Sequence, residues 1–147
     1  MVLARITVLA LAAAAILATT VARTLSNDHV TQTPSMIGPP AASTISGLIP
    51  VSFALPENAR KGSVTLVLAK TGGDTSTVAL TDDRYKGTQA VNINPDDLAA
   101  AGTVSGPKQL TDGAYSVRVR YADARGNPAV SSEMRDFTIA RGTIPGP

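Results

Sequence analysis

DGAYSVRVRYADARGNPA, residues 112–129, decides how this chain folds. Tyr115, Val117, Val119 and Tyr121 alternate with Ser116, Arg118 and Arg120. A period of two puts the first set on one face of a strand and the second on the other, which is the pattern of a half-buried antiparallel sheet. Arg118 and Arg120 then belong to the wet face, where they are solvated or dock an acidic partner. DARGNP follows as a loop. Gly126 and Asn127 tolerate positive φ, and the Asp123 carboxylate accepts from nearby backbone amides.

The same texture extends in both directions. IPVSFAL (49–55) reads as a first strand closed by Pro56. SVTLVLA (63–69) directs Val64, Leu66 and Leu68 one way and Thr65 and Val67 the other. Thr71 to Asp74 turn the chain into STVALT (76–81), and QAVNIN (89–94) offers Ala90 or Val91, with Ile93, before Pro95 stops it. EMRDFTIA (133–140) returns with Phe137 and Ile139 inward. In NPDDLAAAG the spacing predicts one helical turn, with Asn94 as cap, Pro95 first, Asp96 and Asp97 in the first turn and Gly102 as terminator. Short alternating runs between turn residues predict an all-β, antiparallel sandwich of about seven strands.

LTDGAYSVRVRYADARGNPA followed by FTI resembles the C-terminal half of bacterial immunoglobulin-like domains, related in architecture to fibronectin type III domains. In them an L-x-x-G-x-Y turn enters a strand, a D-x-x-G-N loop follows and an F-T-I strand closes the sheet. VSFALPENARKGSVTLVL resembles the first strands of the same repeats, so the likeness spans roughly residues 48–140. It implies that Leu110, Gly113 and Tyr115 form a tyrosine corner, with the Tyr115 hydroxyl bonded back to backbone before its strand. The domain occurs once here, whereas surface adhesins gain reach by repetition.

Composition narrows the function. Thirteen Lys and Arg against eleven Asp and Glu leave a net charge of +2. The basic residues do not cluster, and the aromatics are three tyrosines and two phenylalanines, so neither a phosphate-binding patch nor a base-stacking platform is present. Nucleic acid is not an expected partner, and no small-molecule substrate is evident. The absence of cysteine removes disulfides, thiolate metal sites and cysteine nucleophiles, and the fold must stand on its core.

From Ile6 to Ala22 the chain carries neither charge nor proline and is flanked by Arg5 and Arg23. At 1.5 Å per residue this run covers roughly 26 Å, enough to span a bilayer core if the flanking arginines snorkel. Ile6, Val8, Leu9, Leu11, Ala14, Ile16, Leu17 and Val21 would be its membrane-anchor positions. Arg5 and the terminal amine place the N-terminus in the cytoplasm and the β domain outside. The competing reading is a secretory signal cut after Thr20-Val21-Ala22, with release of the mature protein. Residues 24–47, rich in Thr, Ser and Pro and containing Pro39-Pro40, read as an extended tether, 48–141 as the sandwich and 142–147 as a flexible tail. A retained apolar helix before a β domain is also the layout of archaeal-type pilins. Against a filament subunit, Ala4 precedes Arg5 at the would-be cut, and the glutamate that bacterial-type pilins place near the mature start has no counterpart.

Reactive chemistry finds little footing. His29 is the single histidine and sits in the proposed tether next to Asp28, where no rigid element could hold it against a nucleophile. Small periplasmic copper-binding sandwiches share the general look of the Tyr115 strand. They need several imidazole or thioether ligands, for which His29, Met36 and Met134 are the candidates. Asp82, Asp83, Asp96, Asp97, Asp112 and Asp123 are candidate calcium ligands, but a hard cation needs six or more converging oxygens, and turn capping accounts for them. Besides its aspartates the chain has only Glu57 and Glu133 for glycoside chemistry, in a domain poor in sugar-stacking aromatics.

The expectation is therefore a non-catalytic protein without cofactor. It would be an Ig-like sandwich held outside a bacterial inner membrane as an accessory subunit of a larger membrane complex, respiratory, photosynthetic or transport. Small residues of the helix would pack on neighbouring transmembrane helices. A secreted or cell-surface binding module is the alternative.

Overall fold

A computed structural model describes residues 29–142. The anchor positions from Ile6 to Val21, the first part of the expected tether and all of the expected tail except Gly142 lie outside the described residues. Residues 31–142 belong to one compact unit.

Among the described residues ten strands build two sheets, and a 3-10 turn lies at Leu98–Ala100. The smaller sheet contains β1 (Ser35–Gly38), β3 (Ile49–Leu55) and β6 (Gly87–Ile93), in the order β1-β3-β6. The larger contains β2 (Ser43–Ile45), β4 (Thr65–Lys70), β5 (Thr75–Leu80), β7 (Gly102–Ser105), β8 (Gly113–Tyr121) and β10 (Arg135–Ile139), in the order β2-β10-β8-β4-β5-β7. β9 (Val130–Ser131) pairs with β8 beside that path. All pairings are antiparallel except β2 on β10.

The alternation in the sequence becomes the two inner faces. Ile49, Val51, Phe53 and Leu55 of β3 are buried against Leu66 and Leu68 of β4, Val78 and Leu80 of β5, and Val117 and Val119 of β8. Each such side chain contributes about 1.5–3 kcal/mol by leaving water. Phe137 lies directly opposite Tyr115 across the β8–β10 ladder, and their rings stack with centroids 5.9 Å apart. Cross-strand aromatic pairs of this kind fix register as well as adding energy.

Three features depart from the sequence reading. Residues 31–47 are part of the sandwich, not tether: β1 pairs with β3, β2 pairs with β10, and Thr31 and Met36 are buried. The Tyr121 hydroxyl donates to the Gln32 carbonyl at 2.8 Å, and Arg135 donates through Nη2 to the Met36 carbonyl at 3.0 Å. Strands of four and three residues are too short to display a period, so their pairing is dictated by partners far along the chain. The strand count is ten because β1, β2, β7 and β9 add to the runs legible by alternation. Finally, the expected helical turn is a single 3-10 turn, and Gly102 opens β7 instead of terminating a helix. Asn94 does not cap that turn but closes the bend before it, its Oδ1 accepting from the Asp96 amide at 3.0 Å. Gly102 is required by close approach: a Cβ there would stand 2.1 Å from the Ala79 carbonyl oxygen on β5.

Candidate functional site

β8 runs through the middle of the larger sheet, and three places along it carry polar side chains. At its start, Leu110 is buried and Gly113 takes a φ of +146°. The Tyr115 hydroxyl donates to the Thr111 carbonyl at 2.8 Å, which holds the loop before the strand against its own first residues. Beside this corner lies an open hollow of 280 Å³ lined by Lys70, Ser76, Pro107, Thr111 and Tyr115, among others. Two of its polar side chains are engaged within the scaffold. Lys70 donates through Nζ to Thr111 Oγ1 at 2.7 Å, and Ser76 donates through Oγ to the Pro107 carbonyl at 2.7 Å.

At the far end, Asp123 is buried and organises the loop after β8. Its Oδ1 accepts from the amides of Arg125 and Asn127 at 3.1 and 3.0 Å, and Asn127 Nδ2 donates to Oδ2. Burial pushes the carboxyl pKa up, but the hydrogen bonds from Asn127, Arg125 and Gly126 together outweigh it and hold it below the usual value. Gly126 takes a φ of +86° and supplies the left-handed step, whereas Asn127 contributes its side chain instead. Tyr121, fully buried, has its hydroxyl pKa pushed up to about 12 by burial first and then by the charges of Glu57 and Asp123. Both groups hold loops to strands and leave no carboxylate aimed at solvent.

The remaining candidate calcium ligands are dispersed. Asp82 pairs with Arg84, Asp83 with Lys61, and Asp96 and Asp112 with Arg141. Asp97 precedes the 3-10 turn without a side-chain cap bond. His29 and Met134 are exposed while Met36 is buried in the core. Among the described residues no group of three or more His, Cys, Asp and Glu side chains converges. Glu57 accepts the Gln32 amide at 2.9 Å, and Glu133 is exposed.

Between the two ends, the outer face of the larger sheet presents Arg118 half-buried and Arg120 exposed, on alternate positions of β8. Val67 stands opposite Arg118 and Thr65 opposite Arg120 across the β4–β8 ladder. Val67, Ala69, Thr75, Ser116, Arg118 and Met134 line a shallow 90 Å³ hollow. Among the described residues neither arginine enters an ion pair, and the buried Arg118 Nε has no hydrogen-bond partner. The arginines themselves were legible from the alternation. Their apolar surround was not, because it is assembled from β4, β5, β8 and Met134 by register alone.

No helix among the described residues is long and apolar enough to cross a membrane. No family model matches the chain, and no curated protein does. Among solved structures the chain is similar to CopC from Methylosinus trichosporium OB3b at 14% identity, covering 72% of this chain and 92% of that one with a TM-score of 0.39, a score too low to carry any reading of this chain's function.

Proposed function

We propose that the chain is a non-catalytic binding module that works outside the cytoplasm, held to a membrane by Ile6–Ala22 and docking an acidic partner protein on the outer face of its larger sheet. The observation that carries this is Arg118, whose Nε is buried and without a partner while its neighbour Arg120 is likewise free of any ion pair among the described residues. A buried donor left unmade costs about 1–3 kcal/mol. A carboxylate arriving from outside would meet the guanidinium fork in bidentate fashion, with Val67, Ala69 and Met134 lining the hollow beside it. The partner is then another subunit of a membrane assembly, with the sandwich bracing its extracytoplasmic part. The small-residue exit Thr20-Val21-Ala22 favours a second reading, in which the same face serves a module released after cleavage.

The test is made on the full chain in its own membranes, with Arg118→Glu and Arg120→Glu combined and Lys61→Glu as the charge control. Loss of the co-purifying partner from the double variant alone, at unchanged thermal midpoint, is the expected result. Retention of the partner by the double variant overturns the proposal, and an intact mass lacking residues 1–22 overturns the anchor.

A further inference from the structure

Each sheet has two edges, and three of the four are blunted. β1 has four residues, an irregular register at its end and Pro39 beyond it; β2 has three residues and follows Pro39-Pro40; β7 has four. Such short, proline-flanked or irregular edges resist pairing with other chains. β6 differs. It has seven residues in uninterrupted register with β3, and from Gly87 to Asn94 it contains no proline and no charge.

The direction of its free hydrogen-bonding groups follows from one residue. Pro50, opposite Asn92, has no N–H, so the bonded pairs of the β3–β6 ladder are Ile49–Ile93, Val51–Val91, Phe53–Gln89 and Leu55–Gly87. The N–H and C=O groups of Thr88, Ala90 and Asn92 therefore point away from β3, and among the described residues β6 pairs with no other strand. All three residues are exposed.

We infer that this edge is an interface with a second copy of the chain, β6 against β6, antiparallel about a two-fold axis through Ala90. In that register Thr88 meets Asn92 of the copy, Ala90 meets Ala90, and Asn92 meets Thr88. Three bonded pairs of two bonds each make six, and the two small sheets become one of six strands. The smallest side chain of the set lies on the axis, where identical residues meet. Charge selects the orientation. Lys86 stands at one end of β6 and Asp96 and Asp97 follow the other, and neither Lys86 nor Asp97 has an ion pair among the described residues. Antiparallel pairing brings the basic end of one copy beside the acidic end of the other, while parallel pairing would set like charges together.

The chain has no cysteine, so Ala90→Cys gives a single thiol on the axis. A bonded antiparallel pair holds its Cα atoms about 5.5 Å apart, within disulfide reach. Full-length Ala90→Cys in mild detergent under gentle oxidation is expected to cross-link into a species of twice the 15.0 kDa chain mass, while Ala124→Cys, on an exposed loop, stays monomeric. In sedimentation, Ala90→Pro deletes an outward N–H without touching the β3 ladder, and Ala90→Lys sets two ammonium groups on the axis. Each should weaken the dimer about tenfold or more, since two symmetric bonds or a like-charge contact are involved, with the thermal midpoint little changed. A chain monomeric at all concentrations, a dimer indifferent to both substitutions, or cross-linking as fast at residue 124 as at residue 90 would overturn the inference.

Discussion

Asp123 shows how a loop aspartate that resembles a metal ligand in sequence is engaged by its own turn. Because hydrogen bonding holds its folded pKa below the unfolded value of about 3.9, the carboxylate contributes stability above pH ~4, and that contribution fades as pH falls through the folded pKa. Asp123→Asn should cost about 1–3 kcal/mol at neutral pH, with the gap to the parent closing in acid, as read from thermal midpoints across pH. Tyr121 runs the other way. Its raised pKa means that the neutral hydroxyl stabilises the fold below pH 10 and that this is lost as pH climbs toward about 12. Tyr121→Phe should lose about 1 kcal/mol, with the alkaline transition moving correspondingly, as followed by circular dichroism. The acceptor role of Asp123 was legible from the D-x-x-G-N spacing. The part played by the Asn127 side chain was not, since an Asn in a turn serves equally as a left-handed residue or as a donor, and only the fold selects between them.

At the level of elements, long alternating runs were readable to within a residue or two. IPVSFAL is β3 as written, and the Tyr115 run is β8 with its inward residues buried and its arginines outward. What alternation cannot reveal is any strand of no more than two periods, which is why the sequence reads β1 and β2 as tether and does not mark out β7 and β9. The outer-face hollow was hidden for a related reason, as it depends on the β4–β8 register and not on any one segment. Leu66, buried at the centre of β4 and facing Val78 and Val119 in the ladders, makes the core claim testable. Leu66→Ala should destabilise by about 2–5 kcal/mol in chemical denaturation, whereas Thr77→Ala on the outer face should cost well under half of that.

Across the described residues, the ion pairs of Asp82, Asp83, Asp96 and Asp112 lie in loops, while one face of one sheet keeps two arginines without ion pairs beside apolar side chains. That face is the proposed docking site for an acidic partner. The most direct measurement places a photoreactive side chain at Met134, which is exposed and lines the hollow, and separately at the exposed Lys108, in full-length protein within its own membranes. The expected result is a partner adduct from position 134 alone, abolished when Arg118→Glu and Arg120→Glu are added. An adduct from position 108 and none from 134, or one indifferent to the two charge reversals, would contradict it.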